Sequence, residues 1–204
     1  MSRHTTRVSA RTAAWKGLSR WQGHQCRGGL QASHPNPMTT KLPSRKRNRL
    51  PLDNYQGAKA YSVTITTYRR TPWFRDVAVA EYCVSALKEA AGQEFFRVYA
   101  YCFMTDHLHL LVGADADVNL IGFVKNFKQT TGWWFRNRYL VGSLKASPTS
   151  LWQKSYHDHV VRSDEGLLQM AKYIVGNPVR AGLVESCEDY PFSGSFVWGN
   201  AIFD

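Results

Sequence analysis

Residues 105 to 112, Thr105-Asp106-His107-Leu108-His109-Leu110-Leu111-Val112, constrain this chain more than any other stretch. A short apolar run of this kind reads as a buried strand. Side chains on a strand alternate faces, so His107 and His109 point one way and Leu108 and Leu110 the other. Two imidazoles side by side on one face can chelate a single metal ion. They can equally be two histidines satisfied by ordinary hydrogen bonds, which buried polar groups require. The pair alone leaves both readings open.

The neighbouring segments set the fold. Phe95 to Met104 reads as a strand with Phe96, Val98, Ala100 and Cys102 on one face. The tight Thr105-Asp106 turn makes it a hairpin with the His-x-His strand. Residues 61–68 alternate and are rich in β-branched and aromatic side chains, which marks another strand, ended by Pro72. Helical spacing of Val77, Ala80, Val84, Leu87 and Ala91 predicts a helix over 76–91 with Gly92 as its stop. A second helix is predicted over 118–139, with Leu120, Ile121, Val124, Phe127, Thr131, Trp134 and Phe135 inward and Lys125, Lys128, Arg136 and Arg138 outward. Residues 151–161 read as a strand with an irregular middle. A last helix runs from Asp164 to about Gly176, where Asn177-Pro178 interrupts it, and a short helical or turn segment continues through Leu183. The order is that of an α+β fold, a ferredoxin-like βαββαβ antiparallel sheet with an additional C-terminal helix.

Charge separates the chain into parts. Of 26 Lys and Arg residues, 11 lie in residues 1–50, which hold no Asp or Glu, while residues 51–204 carry 15 of each sign. The expected organisation is a disordered basic tail over 1–40, with Met38 as an alternative start, then a basic arm over 41–54. A folded domain follows over 55–186, and a C-terminal tail over 187–204. A basic arm suits a polyanion such as nucleic acid. Cys26, Cys83, Cys102 and Cys187 are scattered without a Cys-x-x-Cys, which suits free thiols in a reducing compartment. No apolar run approaches the length of a membrane span.

The last helix displays a second group of polar residues. At 100° per residue its apolar positions, Leu167, Leu168, Met170, Ala171, Ile174 and Val175, fall in one arc. Tyr173 lies outside that arc. Gln169 and Asn177, four residues to either side, share its flank. A partly exposed tyrosine followed by a helix-ending asparagine is the alternative on periodicity alone.

Taken together, three blocks of the chain resemble a known family. Residues 104–112 resemble the HUH motif (histidine, hydrophobic, histidine). Leu151-Trp152-Gln153-Lys154-Ser155-Tyr156-His157-Asp158-His159-Val160-Val161-Arg162 and Tyr173-Ile174-Val175-Gly176-Asn177-Pro178-Val179-Arg180-Ala181-Gly182-Leu183-Val184 resemble the other two signature blocks of the REP-associated tyrosine transposases. This is a bacterial branch of the single-tyrosine HUH transposases, and the resemblance spans about residues 45–198. It implies a ferredoxin-like HUH catalytic domain, with His107 and His109 as metal ligands, Tyr173 as nucleophile and Asn177 as third ligand. Thr105-Asp106 stands where the family usually has Pro-Asn, and Val175 where a His is often found. His159 and Gln169 are accessory candidates.

The implied activity is metal-dependent nicking and rejoining of single-stranded DNA at repeat hairpins through a 5′-phosphotyrosine, with Mg²⁺ or Mn²⁺ as cofactor. Arg45, Lys46, Arg47 and Arg49 of the arm, with Lys125, Lys128, Arg136 and Arg138 of the second long helix, are the expected DNA contacts. Trp133 would stack a base if exposed, whereas Trp134 is expected in the core. The resemblance further implies a cytoplasmic, DNA-associated protein, monomer or homodimer, with no membrane partner. A non-catalytic hairpin-binding protein that keeps the fold is the alternative. A metal-dependent phosphodiesterase that does not use Tyr173 is a more distant one.

Overall fold

The structure is a computed structural model in which residues 59–113, 119–139, 150–161 and 164–204 are described. All of them fall within one unit, Asn48–Asp204. The expected tail over 1–40 and the basic arm, with Arg45, Lys46, Arg47 and Arg49, lie outside the described residues.

Strand β1 is Ala60–Thr66, followed by helix α1, Val77–Gln93. The hairpin strands are β2, Arg97–Phe103, and β3, His107–Gly113. Helix α2, Leu120–Tyr139, leads to β4, His157–Val161, and then to α3, Asp164–Val175, and α4, Asn177–Arg180. A short β5, Ser193–Gly194, completes an antiparallel sheet in the order β4-β1-β3-β2-β5. The first six main elements follow the expected βαββαβ order.

Alternation explains the two faces. Tyr61, Val63 and Ile65 of β1 are buried, while Ser62, Thr64 and Thr66 between them are half-buried. On β3 the buried Leu108 and Leu110 alternate with the half-buried His107 and His109. Each buried leucine contributes about 1.5–3 kcal/mol. A one-residue slip would exchange the faces and forfeit that contribution, so the leucines fix where the histidines point.

One strand departs from the expected pattern. A β-bulge between Val98 and Ala100 puts Val98 opposite Val112, while Ala100 and Cys102 face Leu111 and His109. The four side chains expected on one face of β2 are therefore divided between two, because the extra residue of a bulge resets the alternation.

The helices cover the sheet. Asp76 caps α1 by accepting a hydrogen bond from the Ala78 N–H at 3.0 Å. Helix α1 packs on α2, where Tyr82 and Trp134 stack at 4.0 Å. The buried Thr131 on α2 accepts from Trp152 Nε1 at 2.8 Å and donates to the Phe127 carbonyl at 2.7 Å. Phe74, just before α1, touches both Phe103 of the sheet and Trp152. These contacts place the α1–α2 layer on the leucine face. Trp152 itself makes a single bridge to Thr67, and the irregular stretch expected within 151–161 separates it from β4.

Helix α3 lies against β2 and β3, with Ala171, Ile174 and Val175 buried. Leu168, at the edge of the apolar arc, is exposed instead. Residues 187–204 are not a tail. The buried Tyr190 donates to the Phe103 carbonyl at 2.6 Å. The Phe192 carbonyl accepts from Phe103 N at 2.9 Å, and β5 pairs with β2. Tyr190, Phe192 and Ile202 supply enough apolar surface to anchor the segment. No described helix is long and apolar enough to cross a membrane.

Candidate active site

The site is built on β3 and its two neighbours. Thr66 of β1 pairs with His107 and Thr64 with His109. The turn before β3 is pinned by its backbone. The Asp106 carbonyl accepts from Thr67 N and from Thr67 Oγ1, both at 2.9 Å, and the Thr105 carbonyl accepts from Phe74 N at 3.1 Å.

This turn aims the Asp106 carboxylate at the first histidine. Its Oδ1 lies 2.5 Å from His107 Nδ1, and its Oδ2 accepts from Arg70 Nη1 at 3.2 Å. Arg69 and Arg70 hold left-handed backbone angles, φ 55° and 54°, a conformation that costs non-glycine residues about 1–3 kcal/mol each. The second histidine has its own partner, Thr64 Oγ1, 3.3 Å from His109 Nδ1.

With both Nδ1 atoms engaged, the Nε2 atoms of His107 and His109 face each other at 3.0 Å, their rings almost perpendicular at 88°. Burial, the neighbouring His107 and the Arg180 charge together push His109 down to about 4, against the pull of Asp106. His109 is therefore neutral at ordinary pH. In one tautomer the two Nε2 atoms share an ordinary N–H···N hydrogen bond; with both protons on Nδ1 the two lone pairs converge on a position an ion can take. The spacing also matches two adjacent ligands about 2.1 Å from an octahedrally coordinated ion. A histidine whose far nitrogen is held by a carboxylate is a recurrent way of orienting a metal ligand. The pair thus fits a divalent cation. Among the described residues, no third His, Cys, Asp or Glu joins it.

Tyr173 lies near the end of α3 and is 60% exposed. Arg180 covers it, with the guanidinium carbon 3.7 Å from the ring centroid. Arg180 Nη2 donates to the Tyr173 carbonyl at 2.6 Å and to Asn177 Oδ1 at 2.7 Å. Asn177 Nδ2 donates to the Ile174 carbonyl at 3.0 Å. The oxygen expected to serve as third ligand is therefore turned to Arg180. Gln169 is exposed, one turn before Tyr173.

The other expected residues are distributed differently. His157 of β4, rather than His159, stands level with His109, with Thr64 between them. Two strand spacings put it about 10 Å away. His159 faces the half-buried Ser62, two residue pairs further along, and His157 and His159 are both exposed. Lys125, Arg136 and Arg138 are exposed on α2, in the layer over the leucine face, so the sheet lies between them and the histidine pair. Lys128 does structural work there, donating to the carbonyls of Gln153 at 2.7 Å and Lys154 at 3.1 Å. Beside it a cavity of about 340 Å³ is lined by Ile121, Lys125, Lys128, Trp152, Lys154 and Tyr156, among others. Trp133 is 68% exposed, as base stacking would require, and Trp134 is half-buried against Tyr82.

Four residues were not among those picked from the sequence: Asp106, Thr64, Arg70 and Arg180. For Asp106 a signal existed, a carboxylate directly preceding the first histidine. For Arg180 it was position, seven residues after Tyr173 and three after Asn177, which keeps all three on one helical flank. Nothing local marks Thr64 or Arg70, which reach the site through strand pairing and an unusual turn.

Comparisons with known proteins agree with this architecture. Residues 55–177 match the model of the family described as Transposase IS200 like. Over 142 residues the chain is 28% identical to a Haemophilus influenzae protein assigned as a REP-associated tyrosine transposase, covering 65% of this chain and 77% of that protein. Among solved structures it resembles a REP-associated tyrosine transposase bound to a REP hairpin. The TM-score is 0.52 and the identity 19%, over 68% of this chain and 78% of that one. At that identity the likeness is one of fold.

Proposed function

From the premise that the chain belongs to the IS200-like transposase family, we propose that it nicks and rejoins single-stranded DNA at palindromic repeat hairpins, with Tyr173 as the nucleophile. The observation that carries this reading is the convergence of His107 and His109 Nε2 atoms at 3.0 Å, on β3, against which the helix bearing the exposed Tyr173 packs.

His107 and His109 would hold a divalent ion, Mg²⁺ or Mn²⁺, with the Asn177 amide oxygen as third protein ligand once released from Arg180. When bound, such an ion polarises the scissile phosphate and offsets the charge that builds in the transition state. Asp106 and Thr64 keep the two rings oriented by holding their Nδ1 atoms. Tyr173 Oη attacks the phosphorus and its proton passes to water, which reaches the exposed ring freely. The P–O3′ bond breaks, the departing oxygen takes up a proton, and the DNA 5′ end remains as a phosphotyrosine. Attack by another 3′-hydroxyl reverses the step and joins new ends. Lys125, Arg136 and Arg138, across the sheet from the histidine pair, would meet phosphates of the hairpin away from the scissile one, and Trp133 a base there. This activity belongs beside DNA in the bacterial cytoplasm.

The test is covalent capture. The protein is incubated with Mn²⁺ or Mg²⁺ and single strands carrying the hairpins that flank its gene, and separated under denaturing conditions. A protein–DNA adduct is expected, absent in Tyr173→Phe. An adduct that persists in Tyr173→Phe, or none with any flanking hairpin, overturns the reading.

The engagement of Asn177 Oδ1 by Arg180 favours a second reading, a hairpin-binding protein without catalysis. It predicts salt-sensitive hairpin binding that survives His107→Ala, with no adduct under any metal.

A further inference from the structure

We propose that Arg180 is the positioning residue for Tyr173 and that Gly176 exists to seat it; the role of Tyr173 rests on the reading above. A tyrosine at a helix end with 60% of its surface exposed has no wall to fix its ring. Attack on phosphorus needs the oxygen held close to one geometry, and small misplacements are expensive in rate. Arg180 provides the missing wall. Its planar guanidinium lies 3.7 Å from the ring centroid, the stacking a lysine ammonium cannot supply. One nitrogen, Nη2, is tied to the Tyr173 carbonyl at 2.6 Å, a bond that remains when Asn177 Oδ1, its second partner at 2.7 Å, turns away to an ion. The plate over the ring is thus anchored to the backbone of the residue it covers.

Gly176 supplies the independent observation. Its backbone angles, φ −79° and ψ −5°, are ordinary helical ones that any residue adopts. It is the N-cap of α4, a place where glycine is accepted in its own right. Space adds a second reason: a Cβ on Gly176 would lie 2.9 Å from Arg180 Nη1, and 3.2 Å from the Lys172 carbonyl oxygen. An alanine there would push the guanidinium off its seat while leaving Arg180, Tyr173 and Asn177 chemically intact.

The experiment uses the full chain with Arg180→Ala, Arg180→Lys and Gly176→Ala, and two readouts. The first is the rate at which tetranitromethane nitrates Tyr173 in metal-free, DNA-free protein, located by mass spectrometry. Arg180→Ala and Gly176→Ala should each raise it by about two- to fivefold, the range of an exposed cation–π contact. The second is single-turnover adduct formation at saturating hairpin, which should fall about 10- to 100-fold in both variants, and in Arg180→Lys, as misplaced reacting groups do. Hairpin affinity should stay within about twofold, since the clamp acts on Tyr173 rather than as the phosphate anchor that carries affinity. Wild-type nitration and rate in Gly176→Ala, full rate in Arg180→Lys, or a loss confined to binding would each overturn the proposal. Should the wild-type protein form no adduct, the nicking reading fails and the nitration ratio alone decides the clamp. Should Arg180→Ala not fold, Gly176→Ala carries both readouts.

Discussion

His107 and His109 on β3 and His157 and His159 on β4 share a spacing and a sheet face, and Thr64 stands between His109 and His157 in one cross-strand row. Their surroundings differ. β3 has β1 on one side and β2 on the other, whereas β4 is the sheet edge. The pinned turn gives His107 the Asp106 carboxylate, and the neighbouring β1 gives His109 the Thr64 hydroxyl. His157 and His159 are exposed. Alternation alone aligns two imidazoles, but it does not aim them. Aiming needs neighbours that fix the rings, and only an inner strand with a pinned turn supplies them.

The largest expected effect separates the two pairs directly. His107→Ala should lower adduct formation about 100- to 1000-fold, the scale lost when electrostatic stabilisation at the reacting phosphate is removed. His157→Ala, on the same face and spacing, should stay within about threefold, because exposed surface substitutions away from a site change little. Single-turnover assays of both variants on one hairpin make the comparison. Comparable losses would mean that the edge pair belongs to the site as well.

The next effect concerns what aims the central pair. Asp106→Ala removes the carboxylate from His107 Nδ1 and from Arg70 while leaving the Asp106 carbonyl that anchors the turn. Loss of such an outer partner costs metal affinity about 10- to 100-fold. Calorimetric titration of Mn²⁺ into the DNA-free protein reads it, and Asp106→Asn, which keeps an acceptor oxygen, should lose less. Unchanged Mn²⁺ affinity in Asp106→Ala would show that the turn alone orients His107.

These contrasts also mark how far the chain could be read without coordinates. The element order and the shared face of His107 and His109 follow from alternation, which is a local property of the backbone. The flank holding Tyr173 and Asn177 follows from helical periodicity for the same reason. What local periodicity cannot carry is which polar atom finds which partner. Asn177 is on the expected flank, yet its oxygen is taken by Arg180. Lys128 is on the expected outer face of α2, yet its ammonium holds the carbonyls of Gln153 and Lys154. The fifth strand is two residues long, too short for any periodic signal, and is fixed by Tyr190 reaching a carbonyl 87 positions away in sequence.

The smallest effect tests the row that joins the two pairs. Thr64→Val keeps the β-branched shape that suits a strand but removes the hydroxyl 3.3 Å from His109 Nδ1. A neutral hydrogen bond of this length and partial exposure is worth about 0.5–1.5 kcal/mol, so Mn²⁺ affinity should fall about two- to tenfold. Ser62→Ala removes the hydroxyl-bearing side chain opposite His159, two pairs along the same strand, and should leave Mn²⁺ affinity within about 1.5-fold, as surface changes with no site partner do. The two substitutions alter the same face of β1, two residues apart, so a shared effect on strand packing would move both. Only the aiming of His109 would move Thr64→Val alone, and equal shifts in the two variants would return Thr64 to the status of an ordinary sheet residue.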